Sequence, residues 1–146
     1  PRERLRLWLK LLKASRSIED EVRRRLRSNC GSTLPRFDVL SALDRSTDGL
    51  KMGEISKLLR VTNGNITGIV DKLTEEGLAL RVPIPGDRRA HLVRLTQKGK
   101  EVFRNHALAH EAWINGILSG LDELDVEDMN LRLDQLNAAL EEVHDA

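Results

Sequence analysis

Two arginines set on a turn, a run of arginines, and two histidines four apart are the residue patterns in this sequence that could do chemistry. Arg88 and Arg89 follow Pro85-Gly86-Asp87, which puts two guanidinium groups at the tip of a turn. Arg23, Arg24, Arg25 and Arg27 form a second basic cluster, readable as a nucleic-acid patch or as a solvated, ion-paired helix face. His106 and His110, with Glu111 adjacent, can place two imidazoles on one metal ion. His91, His106 and His110 could also serve a small hydrolase. No glycine-rich phosphate loop, nucleophile elbow or paired acidic motif accompanies them, so neither an enzyme nor a cofactor is expected.

The elements around the turn explain its interest. From Thr62 to Gly77 the apolar residues Ile66, Ile69, Val70 and Leu73 recur at helical spacing, with Thr62 as N-cap and Gly77 just past the end. Leu78, Leu80, Val82 and Ile84 then alternate, and Val93 and Leu95 resume the alternation beyond the arginines. That is a hairpin with a basic tip. Gly53 to Leu59 forms a preceding short helix, with Ile55, Leu58 and Leu59 as its inner face. Two short helices joined by a tight turn and followed by a hairpin spell a winged helix-turn-helix, whose second helix can enter a major groove.

Charge is unevenly spread. The net charge of +1 is uninformative, but residues 1–29 carry ten basic and four acidic side chains and residues 60–104 nine and five, whereas residues 120–146 carry one and nine. No apolar run approaches a membrane span, and the basic start does not read as a signal peptide, so a cytoplasmic protein is expected. The lone Cys30 excludes an internal disulfide framework and fits a reducing compartment. A start at Pro1 leads us to expect residues upstream of it.

Arg2 to Ser28 carries Leu5, Trp8, Leu12, Val22 and Leu26 near one stripe, which predicts a long helix closed around Asn29-Cys30-Gly31. Pro35 opens a second helix with Phe37, Leu40 and Leu43 inside. Beyond the hairpin, Thr96 can cap a long helix running through Trp113 to about Leu121. Asp125 followed by Asp128 resembles a capping box for a final helix, in which Met129, Leu133, Leu136, Leu140 and Val143 form an a/d seam. Such a seam needs a partner surface, so the terminal helices are expected to pack together and against a second copy of the chain.

Between Gly53 and Gly99 the sequence resembles the MarR family, the multiple-antibiotic-resistance-type regulators. The likeness is carried by Glu54-Ile55, Leu58-Leu59, Thr62, Asn65-Ile66-Thr67, Val70-Asp71-Lys72-Leu73 and Glu76-Gly77-Leu78, and most specifically by Asp87-Arg88-Arg89 followed by Leu95-Thr96 and Lys98-Gly99. The resemblance implies a mainly α fold with a small β-hairpin wing, one MarR-like domain over 1–146. Its dimerisation helices would span about 1–29 and 97–146, and its winged helix-turn-helix about 34–96. It further implies a symmetric homodimer on a pseudo-palindromic DNA site, recognition helices about 34–36 Å apart. The expected activity is repression of nearby genes, relieved by a small effector.

On this template the DNA-binding residues would be Thr62, Asn63, Asn65 and Thr67, with Lys72 on a phosphate and Arg88 or Arg89 in a narrow minor groove. Asp87 would support the wing by holding an arginine in place. Gly68 stands where many members have an arginine, which removes one base contact. Gly53 stands where Ser or Thr is usual, which weakens a cap. Effectors of related proteins bind between the dimer helices and the winged domain, which makes Trp8, Phe37 and Trp113 the candidates here and an aromatic acid or its coenzyme A thioester the candidate ligand. Metal sensing through His106 and His110, redox sensing through Cys30, and a winged helix that binds protein are the competing readings. In zinc-sensing relatives the second helix adds ligands, where this chain offers only Asp38.

Overall fold

The computed structural model describes residues 1–145. It holds six helices and one two-stranded antiparallel sheet: α1 (Arg2–Cys30), α2 (Leu34–Asp44), α3 (Met52–Leu59), α4 (Asn63–Glu75), β1 (Ala79–Ile84), β2 (Asp87–Leu95), α5 (Gln97–Ile117) and α6 (Glu123–Asp145). These form two compact units, Pro1–Glu111 and the residues from Ala112 onward.

The core of the first unit holds most of the positions that the helical period predicts, with Val39 and Ala79 in addition. Val39, Leu40 and Leu43 of α2, Ile55 of α3, and Ile66, Val70 and Leu73 of α4 meet Ala79, Val93 and Leu95 of the hairpin. Several of these are wholly buried, each worth about 1.5–3 kcal/mol relative to exposure. Leu58 is an exception to the expected inner face of α3, for it is 63% exposed. An eight-residue helix makes little more than two turns. Ile55 alone occupies its buried stripe, flanked by half-buried Met52 and Leu59.

The caps refine the boundaries. Gly31 closes α1 in the left-handed conformation, φ 57°, and Thr33 caps α2 by accepting the Arg36 N–H. The cap of α3 is Lys51, not Gly53; its N–H donates to the Glu54 carboxylate at 2.9 Å, and Gly53 already lies inside the helix. The box before α6 is Asp122 with Asp125, reciprocally bonded at 2.8 and 3.2 Å, one turn earlier than the spacing of Asp125 and Asp128 predicts; Asp128 instead pairs with Arg132.

In the hairpin Ala79 pairs with Leu95 and Arg81 with Val93, while Leu80 pairs with Arg94 and Val82 with Leu92. Partners across a ladder share a face, so the Leu80-Val82-Ile84 stripe lies opposite the buried one and Leu80 stays 39% exposed. The ladder then slips: Pro83 faces His91, yet Ile84 faces Asp87, which leaves Arg88, Arg89 and Ala90 without register partners on β1. Proline has no N–H to donate and is tolerated at such irregularities. Leu50 adds a short bridge to Val93, through bonds of 3.0 and 2.8 Å.

The start of α5 is riveted to the turn between α4 and β1. Thr96 donates its N–H to the Leu78 carbonyl at 3.0 Å and its hydroxyl to the Gly77 carbonyl at 2.6 Å, and the same hydroxyl accepts the Gly99 N–H at 3.0 Å. Gly99 is obligatory there, since a Cβ would stand 2.0 Å from the Leu78 carbonyl oxygen. This close approach explains the Leu95-Thr96…Lys98-Gly99 pattern in physical terms. Three of the four arginines in the α1 cluster form an ion-paired face: Arg23 lies 3.7 and 3.4 Å from Glu19 and Asp20, and Arg24 and Arg25 share Glu21 at 2.6 and 2.8 Å.

Candidate nucleic-acid interface

The first turn of α4 is held by its own sequence. Thr62, in extended conformation, accepts the Asn65 N–H with its hydroxyl at 3.5 Å, a long bond that leaves the oxygen accessible to a further partner. Ile66, Val70 and Leu73 bury one side of the helix completely, which turns Thr62, Asn65, Thr67 and Lys72 to the surface. The side chain of Asn63 lies outside the described residues. Arg60, joining α3 to α4, holds φ 54°, a left-handed conformation that makes the turn tight enough to set one helix against the next.

Ion pairs fix α4 against its surroundings. Asp71 pairs with Arg81 of β1, and Glu76 pairs with Arg36 of α2. At the wing tip the Asp87 carboxylate accepts the backbone N–H of Arg89 at 3.0 Å. The expected hold on an arginine is therefore made through its backbone, which shapes the bulge and leaves the guanidinium groups outward. Among the described residues, Arg88, Arg89 and Lys72 have no ion-pair partner.

The candidate residues are not gathered into one spot. Thr67 and Arg89 line the same open cleft between α4 and the wing, about 400 Å³, together with Lys51, Arg81 and His91. Arg88 is exposed outside that lining, and Lys72 is exposed further along α4. Asn65 lies on the other flank, where with Ile69 it borders a cavity of about 510 Å³ reaching the end of α1 and the start of α2. Sequence reasoning missed Lys51 and Arg81 and read His91 only as a hydrolase candidate; the Asp71–Arg81 pair was within reach, since both charges belong to segments already assigned.

The effector candidates fare differently. Phe37 is buried, its ring centroid 5.6 Å from Phe103 and 4.9 Å from His110, so its faces are taken by packing. Trp8 is 55% exposed on α1, and Trp113, in the second unit, is 9% exposed. Burial, with the Arg36 charge second, pushes the His106 imidazole below its ordinary range, and its Nδ1 has no hydrogen-bond partner. Among the described residues no group of three or more His, Cys, Asp or Glu side chains is placed to hold a metal ion. Burial pushes the Cys30 thiol up, which disfavours the reactive thiolate. No helix among the described residues is long and apolar enough to cross a membrane.

A helix-turn-helix with a basic wing has relatives. The sequence model of the MarR family matches residues 31–90. The HTH-type transcriptional regulator MhqR of Bacillus subtilis is 32% identical over 123 residues, covering 84% of this chain and 83% of MhqR. The chain belongs to the MarR family. It is a helix-turn-helix, DNA-binding transcription regulator, and its relatives are regulators of transcription. Among solved MarR-family folds, the transcriptional regulator BldR from Sulfolobus solfataricus superposes with a TM-score of 0.79 at 27% identity, over 94% of this chain and 96% of that one. A mutant MarR from E. coli, solved in complex with operator DNA, gives 0.75 at 24% identity over 93% and 95%, a likeness of fold.

Proposed function

We propose that this MarR-family chain is a cytoplasmic repressor that binds a pseudo-palindromic operator as a homodimer and is released by a small effector, an aromatic acid or its coenzyme A thioester. The observation that carries the DNA reading is that Thr67 on the recognition helix and Arg89 on the wing line one open cleft, where the Arg89 guanidinium makes no ion pair among the described residues. The first turn of α4, through Thr62, Asn63, Asn65 and Thr67, serves base edges in the major groove. Lys72 takes a phosphate, and Arg88 or Arg89 the minor groove.

Dimerisation is supported by apolar faces that each unit presents. Leu5, Trp8 and Leu9 are more than half exposed on α1, and Met129, Leu133, Leu136 and Leu140 are 39–52% exposed on α6. Contiguous apolar surface of this kind marks an interface. The aromatic-acid effector rests on the basic first helix and on the family's habits. The test is fluorescence anisotropy with DNA flanking the protein's own gene, with and without aromatic acids and their thioesters. Tight, salt-sensitive binding released by one compound is expected. Absence of binding at every salt concentration sinks the reading.

A further inference from the structure

The arginine cluster at the end of α1 is not wholly engaged in ion pairs. Arg23, Arg24 and Arg25 have carboxylate partners, but Arg27 has none among the described residues. Arg27 lines the cavity of about 510 Å³ on the Asn65 flank of α4, together with the turn from Ser32 to Pro35 that opens α2. Ser32 is 4% exposed, and its hydroxyl has no hydrogen-bond partner, a rare state for a buried polar group. The residue is fixed in place, because its N–H is bonded to the Leu26 carbonyl at 3.1 Å. A hydroxyl held in this way is completed by an acceptor oxygen on a ligand.

The surrounding charges select a singly charged anion. The eleven-residue α2 begins at this turn, and its N-terminus carries the positive end of the helix dipole. Within its first turn Pro35 has no N–H, and the Arg36 N–H is taken by the Thr33 hydroxyl at 3.3 Å, which leaves the Leu34 N–H for an incoming oxygen. Glu19 and Asp38 line an adjoining cavity of about 190 Å³, where their carboxylates oppose a second negative charge. A phosphodiester of DNA carries one such charge, whereas a phosphomonoester carries about 1.5–2 at neutral pH. Asn65 ties the cavity to DNA, for it borders the same space from the first turn of α4.

We propose that the junction of α1 and α2 seats one backbone phosphate of the DNA, held by Arg27, the Ser32 hydroxyl and the Leu34 N–H. The inference rests on the DNA-binding reading above and extends the contact surface beyond the helix-turn-helix and the wing. A deoxyribose beside that phosphate meets the apolar side chains of Pro35 and Val61. With the wing arginines on one flank of α4 and this seat on the other, the recognition helix is gripped from both sides, which sets its angle in the major groove. Phosphate contacts of this kind fix orientation without reading sequence. Burying the Ser32 hydroxyl unbonded costs the free chain stability, and the bound phosphate offsets that cost.

The test measures binding of the full chain to DNA flanking its own gene and to an unrelated duplex, across a range of salt. Arg27→Gln should weaken both duplexes by the same factor, about tenfold or more, and lower the slope of log affinity against log salt by about 0.9 for each phosphate released. Ser32→Ala should weaken both by about threefold or more, yet leave the midpoint of urea unfolding unchanged or raised, since alanine buries no unbonded hydroxyl. A hydroxyl that merely supports the fold gives the opposite, a lowered midpoint with unchanged affinity, and that result overturns the proposal. So does an Arg27→Gln chain with unaltered affinity and slope, or one that loses only the specific duplex, which makes Arg27 a base reader. Inorganic phosphate, titrated into the free chain at constant ionic strength while amide resonances are followed, separates a free anion from DNA. Saturable shifts at Ser32 and Leu34, with DNA affinity unchanged in both variants, assign the seat to the free anion and overturn the DNA role. Loss of binding in Arg88→Ala with Arg89→Ala but not in Arg27→Gln sinks this seat alone, whereas a parent chain that binds neither duplex removes the DNA reading with it.

Discussion

Replacing Gly99 by alanine should cost the fold about 2–4 kcal/mol, a large effect for one methyl group, because of one close approach. The added Cβ would stand 2.0 Å from the Leu78 carbonyl oxygen and 2.9 Å from the carbonyl carbon. An ordinary carbon–oxygen approach needs about 3.3 Å, so the start of α5 must retreat by about 1.3 Å. The obstacle is backbone and cannot swing aside. The retreat breaks the bonds from Thr96 to the Gly77 and Leu78 carbonyls, 2.6 and 3.0 Å, and strains the 3.2 Å bond from Lys98 Nζ to the Glu76 carbonyl. Two or three such bonds at about 0.5–1.5 kcal/mol each, with looser packing of Val102 and Phe103 on the core, give the stated range.

Gly68→Ala is the control. Gly68 is exposed in the middle of α4, and a Cβ there meets nothing within 4 Å, so alanine should stabilise the chain by about 0.5–1 kcal/mol through helix propensity. Urea unfolding followed by circular dichroism, at one fixed protein concentration and with comparable m-values, measures both. A loss below about 0.5 kcal/mol for Gly99→Ala would refute the close-approach argument. Equal losses in both variants would refute it too, since the open and the crowded glycine would then behave alike.

Removing both wing arginines, Arg88→Ala with Arg89→Ala, should weaken DNA binding and lower the slope of log affinity against log salt by about 0.9 for each phosphate no longer neutralised; an unchanged slope removes the wing from the mechanism. Leu133→Glu with Leu140→Glu should convert a dimer to a monomer by light scattering, and a parent chain already monomeric at micromolar concentration would contradict the proposed assembly. Hydrogen bonds from Arg24 and then Arg25 hold the Glu21 carboxyl down at about 2, below its ordinary 4.5. Because the folded value is depressed, its stabilisation is full above the ordinary range and fades as the pH falls toward 2. Carboxyl carbon resonances report this directly, and a Glu21 midpoint near 4.5 would contradict the pairing.

What was legible in the sequence was local. The helix and strand periods predict the element order, and Thr62, Thr96 and Gly31 mark boundaries that the hydrogen bonds support. Errors came where neighbouring signals compete. Asp122, Asp125 and Asp128 recur at threes, so spacing alone permits two capping boxes, and the one formed is the one whose carboxylates reach both backbone N–H groups. Alternation in the hairpin likewise gives the period without the face. The face is settled by pairing with β2, where Val93 and Leu95 turn inward and leave Leu80 outward. Leu58 fits a helical stripe on paper, but α3 is too short to bury more than one full position.

The functional clefts were illegible for a different reason. Asn65 and Thr67 read in sequence as one polar cluster, yet positions two apart on a helix point about 200° from each other. One consequence is that Thr67 faces Arg89 and the wing, while Asn65 faces Arg27, Ser32 and the start of α2. Their partners come from segments far away in the chain, joined only once α1, α2 and the hairpin are packed around α4. A single helix of thirteen residues thereby borders both the cleft that carries the DNA reading and the cavity at the end of α1. A tilt of α4 about its buried stripe would move Thr67 relative to Arg89.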